Sequence, residues 1–237
     1  MNRLIMLVCL IIVFIPASHA QSLIRSGDKN INHSLIRKMY TSYKITVYDS
    51  LGFARGDILK MDYITIDTAK NLLTRAQHVF YPGGFIKLDS TIADLKTLAP
   101  VRMRMVTTPA DMQMDLTFHK KSVHAVVNRN NVLKDTVHTM EPGYFDSNLI
   151  EYIIGFLPFK EGFSASLNAY TYEQDGMDPY KVEYLGKDVL PVTKGFCNLV
   201  KVSSGKISMF IWYEDQTGTL IKYIFPYKGG FMVMTRA

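Results

Sequence analysis

Met112-Gln113-Met114-Asp115-Leu116-Thr117-Phe118-His119 alternates apolar and polar residues without a fault. In an extended chain Met112, Met114, Leu116 and Phe118 fall on one side, and Gln113, Asp115, Thr117 and His119 on the other. Coiled as a helix, the same stretch would scatter its apolar set around the circumference. It therefore reads as a half-buried β-strand. The same period runs outward from it. Tyr43, Ile45 and Val47 oppose Lys44 and Thr46, while Val101, Met103 and Met105 oppose Arg102 and Arg104. Further strands are expected near 55–66, 72–81, 84–90, 122–128, 164–173, 179–185, 193–203, 207–214, 219–226 and 230–236. Pro82-Gly83-Gly84, Asn128-Arg129-Asn130-Asn131, Asp215-Gln216-Thr217-Gly218 and Lys228-Gly229-Gly230 supply turn chemistry between them. Connections this short leave no room for crossover helices, so the strands are expected to run as an antiparallel meander. Thirteen Phe, fourteen Tyr and one Trp agree with a β-rich chain.

One segment breaks the period. Asp146-Ser147-Asn148 offers N-cap side chains, and Leu149, Ile150, Ile153, Phe156 and Leu157 recur at helical spacing. Glu151 is placed in the first turn, where the helix dipole favours it, and Pro158 ends the run. The reading is one amphipathic helix over 147–157, with an apolar stripe that must bury against a sheet. It joins two strand blocks, 38–140 and 160–237, of a single β-rich domain. The expected fold is mainly β: a large curved antiparallel sheet, as a half-barrel or two stacked sheets, with one buried amphipathic helix. Residues 21–37 are polar and weakly patterned, and read as an N-terminal arm or a short helix. The two blocks share a rhythm of strand, acidic polar turn with Thr, and outgoing strand. It runs through Asp94-Leu95-Lys96-Thr97-Leu98 in the first and Glu214-Asp215-Gln216-Thr217-Gly218 in the second. An internal repeat and ordinary hairpin chemistry both account for it.

The first twenty residues read as an export leader. Arg3 gives a positive start, Leu4–Ile15 is apolar throughout, Pro16 breaks the run, and Ser18-His19-Ala20 places small residues for cleavage before Gln21. The apolar run is too short to span a bilayer, so no transmembrane span is expected after cleavage. Cleavage of 20 residues from 237 leaves 217, and the loss of Arg3 lowers the net charge from +6 to +5. Cys197 is then the one remaining cysteine, which forbids an intrachain disulfide. The surplus charge is diffuse, with Lys120-Lys121 its densest run, whereas a nucleic-acid surface needs a clustered stripe. The expected location is the periplasm or the outer membrane of a double-membrane bacterium, with no nucleic acid as partner.

Catalytic constellations are missing from the sequence. There is no H-E-x-x-H pair, no G-x-S-x-G elbow, no P-loop and no G-x-G-x-x-G. No cofactor and no metal are expected, and the protein is not expected to be an enzyme. His119 and His124 could meet across a turn at 120–122, but a zinc site needs three or four ligands. Glu141, Asp146 and Glu151 lie close in sequence, and helix capping accounts for the last two. The strand at 207–213 is apolar on both faces, since Ile207, Met209 and Ile211 alternate with Phe210 and Trp212. Core packing and a ligand-facing wall both explain this, as they do the methionines of neighbouring strands. Trp212, Phe210, Met112, Met114 and Phe156 are the candidate ligand-binding residues.

Phe145-Asp146-Ser147-Asn148-Leu149-Ile150, then Leu157-Pro158 and Glu161-Gly162, resembles the central signature of a family of exported bacterial proteins of unknown function. Tyr180–Gly186, Gly195-Phe196-Cys197, Ile211-Trp212-Tyr213 and Leu220-Ile221-Lys222 resemble its C-terminal half. Asp94–Arg102 and Leu116-Thr117-Phe118 resemble its first half. The family has no assigned activity, so the resemblance implies no catalytic residue. The hairpin rhythm is also similar to that of periplasmic carriers of the LolA/LolB type, in which a curved antiparallel sheet wraps an apolar cavity. The function expected is a non-catalytic envelope protein that binds an apolar or amphipathic ligand, such as a lipid, in a concave sheet. The alternatives are a scaffold or assembly protein with an envelope protein as partner and, behind it, a hydrolase of envelope polymers.

Overall fold

The computed structural model describes residues 22–109, 111–172, 176–193, 195–205 and 207–237, so the expected leader lies outside the described residues. The chain opens with β1 (Ser22–Ile24), and then runs through β2 (Met39–Tyr48), β3 (Ala54–Asp67), β4 (Leu72–Phe80) and β5 (Ile86–Asp94). It continues with β6 (Pro100–Thr108), β7 (Met112–His119), β8 (Ser122–Arg129), β9 (Val132–Thr139) and the two-residue β10 (Phe145–Asp146). The helix α1 (Ser147–Ile154) follows. The second block supplies β11 (Ser164–Thr171), β12 (Gly176–Val189), β13 (Phe196–Ser204), β14 (Ile207–Glu214), β15 (Leu220–Tyr227) and β16 (Gly230–Arg236).

These strands form one large curved sheet. It runs from β11 through β16, then from β2 through β9, each strand antiparallel to the next. The two blocks of sequence meet where β16 lies against β2, with Met234 opposite Ile45. The free side of β11 is taken by β1 and β10, both parallel to it. The two ends of the sheet approach one another through side chains. Tyr170 of β11 lies 5.7 Å from His138 of β9 and 6.1 Å from Phe118 of β7, ring to ring. The shape is an open, barrel-like sheet with the helix across its concave side.

Most strands stand where their alternation puts them, and Met112–His119 is reproduced residue for residue. β9 is an addition that the period missed. Val132, Leu133 and Val137 are all exposed, so this edge strand has no buried face to impose a pattern. The stretch 21–37, expected as an arm or a short helix, is described from Ser22 on and is partly built into the fold. Its start is β1, a 3₁₀ turn follows at His33–Leu35, and Ile24 and Ile31 are buried in the core. The helix is shorter than 147–157. Gly155 leaves it as Phe156 and Leu157 donate to the carbonyls of Ile153 and Ile154, a tighter closing turn before Pro158. Glu151 lies one turn further in than the dipole reading placed it.

The shared rhythm of the two blocks corresponds to the same turn built twice. Leu98 N donates to Asp94 O (2.8 Å) and Asp94 N to Ala99 O (2.9 Å). Gly218 N donates to Glu214 O (2.9 Å) and Glu214 N to Thr219 O (2.8 Å). In each, the Thr hydroxyl donates to the acidic side chain three residues earlier, and the next residue has a positive φ, 58° at Leu98 and 64° at Gly218. The second turn is pressed against the end of the helix. A Cβ on Gly155 would stand 2.2 Å from Gly218 O, where no side chain fits. Gly155→Ala is therefore expected to lower stability by about 1–3 kcal/mol, as overpacking does, and a urea midpoint unchanged from the parent would contradict this contact.

Candidate functional site

The concave face is mostly apolar, and α1 buries Leu149, Ile150, Ile153 and Ile154 into it. The centre of β3, β4 and β5 carries the densest group of buried polar side chains. There Lys60, Asp62, Arg75, Gln77, Asp89 and Thr91 are buried among Ile58, Ile64 and Leu73. The register sets them side by side, with Asp62 opposite Gln77, Gln77 opposite Asp89, and Arg75 opposite Thr91. A buried charge is costly unless paired, and the helix completes the pairing.

Arg75 donates to Asp62 in a fork (Nε at 3.0 Å, Nη2 at 2.5 Å), to the Asn148 carbonyl of the helix, and to Glu151 (3.1 Å). Lys60 Nζ lies 2.9 Å from the same Glu151 oxygen. With its amide turned to suit these neighbours, Gln77 accepts from Lys60 and Arg75, each at 2.9 Å, and donates to Asp89 at 3.0 Å. Asp89 also faces Lys87 at 3.3 Å. Asp146 caps the helix by accepting from Asn148 N (3.2 Å), and it accepts from the Thr91 hydroxyl (2.5 Å).

The environments push these acids apart. Burial raises Asp146 to about 6, against which its hydrogen bonds from Thr91 and Asn148 pull only partly. Burial raises Asp89 as well, with Lys87 and Arg75 opposing. Burial also works to raise Glu151, but the charges of Lys60 and Arg75 more than offset it and hold it at about 2. Arg75 keeps its proton in spite of burial, because Asp62 and Glu151 face it.

Two lobes of open space flank the helix start and share Ser147, Glu151, Tyr223, Phe225 and Tyr227. The first, about 390 Å³, has a polar wall of Lys60, Gln77, Lys87 and Asp89 and an apolar wall that includes Ile45, Ile58, Val79 and Met232. The second, about 420 Å³, is lined by Ile150, Ile154, Val202, Met209 and Ile211, with Thr171, Asp178 and Ser204 at its polar side. Volumes of this size suit small-molecule sites.

The five residues singled out from sequence do not come together, and none lines either lobe. Met112 and Met114 belong to a second core beneath β6, β7 and β8, closed by Tyr144 and Tyr170. Phe156 is packed at the end of the helix against Tyr152, 4.4 Å ring to ring. Trp212 faces the outer side, in a small cluster with Leu190, Cys197 and Ile221. Its indole donates to Asp188 (2.7 Å), and Lys222 lies over its ring. Phe210 shares that outer face and is 40% exposed. The strand at 207–213 is apolar on both sides because one side lines the cavity and the other carries this outer cluster. His119 and His124 do not converge on a pocket. His124 of β8 pairs with Asp135 of β9 at 2.7 Å, on the outward face of the two strands. Among the described residues no three His, Cys, Asp or Glu are grouped to hold a metal ion, and no helix is long and apolar enough to cross a membrane.

An open, barrel-like sheet crossed by one helix over a half-polar cavity is thus the class of protein that the geometry defines. Residues 42–236 match the family described as "Protein of unknown function (DUF3108)", and the chain belongs to that family. Among solved structures it is similar to a beta-barrel-like protein of the domain of unknown function DUF1849 from Brucella abortus. The TM-score is 0.59 at 9% identity, over 84% of this chain and 95% of that one, a likeness of fold alone. No curated protein matches the sequence. The two likenesses lead to families of unknown function, and neither indicates a catalytic family.

The opposed shifts give a pH dependence with a definite sign. Asp146 binds its proton more tightly folded than unfolded, so stability rises as pH falls from about 6 towards 3.8. Glu151 has the opposite slope, and its contribution is lost as pH falls from 4.5 towards about 2. Asp146→Asn keeps a capping oxygen and should flatten the upper slope, an effect of order 1–3 kcal/mol. Urea midpoints between pH 7 and pH 4 check this, and parallel profiles for parent and variant would refute it.

Proposed function

We propose that this protein is a non-catalytic binder of an amphipathic ligand, held in the two-lobed cavity between the helix and the concave sheet. The observation that supports it is the facing of a charged wall against an apolar wall across the first lobe. A purely structural core would close on itself. Here space of molecular size persists next to buried charges that are already paired. An apolar chain would lie along the aliphatic wall, and its polar end would meet the Lys60–Asp89 side.

The leader pattern at residues 1–20 supports export, with action in the periplasm or at the outer membrane of a double-membrane bacterium. The similarity in hairpin rhythm to LolA/LolB-type carriers accords with a sheet that shelters an apolar group from water. A second reading, an envelope scaffold, rests on β9. This edge strand exposes Val132, Leu133 and Val137, and among the described strands it pairs with β8 alone, the arrangement that accepts a partner strand.

The test is uptake of a fluorescent fatty-acid probe by delipidated protein. Saturable uptake is expected, reduced at least tenfold by Met209→Trp, which fills the second lobe. Uptake that does not saturate, or that the filled variant retains in full, would refute the cavity reading. Stoichiometric recovery of one envelope protein, lost in Val137→Lys, would favour the scaffold.

A further inference from the structure

The mouth of the first lobe is chemically lopsided. Lys60 and Glu151 on its wall are satisfied with Arg75 behind them and with the Gln77 amide, through contacts at 2.9–3.1 Å. Lys87 is different. Its side chain is 30% exposed, and its ion pair with Asp89 is long at 3.3 Å. An ammonium group has three donors, and charge-assisted bonds of this kind are normally about 2.7–2.9 Å. Tyr81 and Tyr227 line the same lobe, and both Lys87 and Tyr227 stand near enough to Tyr81 to act on it electrostatically. Neither phenol has a hydrogen-bond partner among the described residues. Three donors therefore face one opening, and the acceptor beside them, Asp89, is buried and already takes a bond from Gln77.

We propose that Lys87, Tyr81 and Tyr227 form an anion-binding mouth that receives the oxyacid head, carboxylate or phosphate, of an amphiphile whose chain lies in the cavity. This rests on the cavity reading above and adds the sign of the head group. A cationic head would face Lys87 directly and lose the two phenol donors. A neutral head would leave the ammonium with its long contact to Asp89 and solvent. The mouth thus selects by charge what the apolar wall binds by area.

The experiment compares three probes of equal chain length on the delipidated full protein: dodecanoate, dodecyl phosphate and dodecyltrimethylammonium, with monododecanoylglycerol as the neutral reference. Both anions are expected to bind about tenfold more tightly than the neutral probe, which is the weight of about 1.4 kcal/mol, and the cation more weakly than it. Lys87→Gln should bring the ratio of anion to neutral towards one, and Lys87→Glu should invert the order of anion and cation. Tyr81→Phe, which leaves every charge in place, should lower the ratio about threefold. Cooperative melting of each variant verifies its fold. Preference for carboxylate over phosphate, or the reverse, names the head within the class. Equal binding of all probes, or a preference that survives both Lys87 variants, overturns this inference and leaves the cavity reading standing. Failure of every probe to bind overturns both.

Discussion

Arg75 is the residue on which the interior depends. It is buried at the middle of the sheet, and its guanidinium joins β3 through Asp62 to the helix through Glu151 and the Asn148 carbonyl. A buried pair of this kind need not add stability over an apolar core of the same shape, since desolvation consumes most of the attraction. Its effect is on geometry. Apolar side chains would let the helix slide or rotate on the concave face. The fork on Asp62 and the second contact to Glu151 allow one seating.

That seating has consequences at both ends of the helix. At its start Asp146 caps the first turn and bonds to Thr91 of β5, so the helix is tied to the same strands that carry the charges. At its end Gly155 meets the turn at Gly218 with no room for a side chain, and Tyr213 donates to the Glu151 carbonyl (2.7 Å). Held at both ends, the helix covers part of the concavity and leaves open space beside its first turn. The lobes lie there because the polar groups of β3 to β5 are satisfied by one another and by α1 rather than by a close-packed apolar cover.

The strands and the helix were legible in the sequence because burial on one face imposes a period. The face that is buried was harder to read. In β3 the phase of Leu59, Met61 and Tyr63 is as apolar as that of Ile58 and Ile64, yet the second phase turns inward and takes Lys60 and Asp62 with it. β4 and β5 repeat this, with Arg75 and Gln77, then Lys87 and Asp89, on the inner side and Leu88 outside. A reading that sends charges to solvent reverses all three strands. The available clue was the pairing of opposite charges on successive strands in one phase, which matters only once register is known. Trp212 and Phe210 lie away from both lobes for a related reason. Their strand is apolar on both sides, and Trp212 rests on a small outer core formed with Leu190 and Ile221. Met112 and Met114 are packing residues of the second core, where unbranched side chains fill the space around Tyr144 and Tyr170.

The seam between β16 and β2 fixes the order in which the molecule can be assembled. β2 pairs with β3 through a short turn, but its other edge stays empty until residues 231–236 are made. β1 likewise waits for β11, some 140 residues later in the chain. Contacts of such separation form slowly, because loop closure precedes any gain from pairing. During synthesis the first block is a sheet with open edges, a species prone to pair with other chains. Folding of the first block alone is therefore a hazard, and the safe course is to hold the chain extended until its last strand is available.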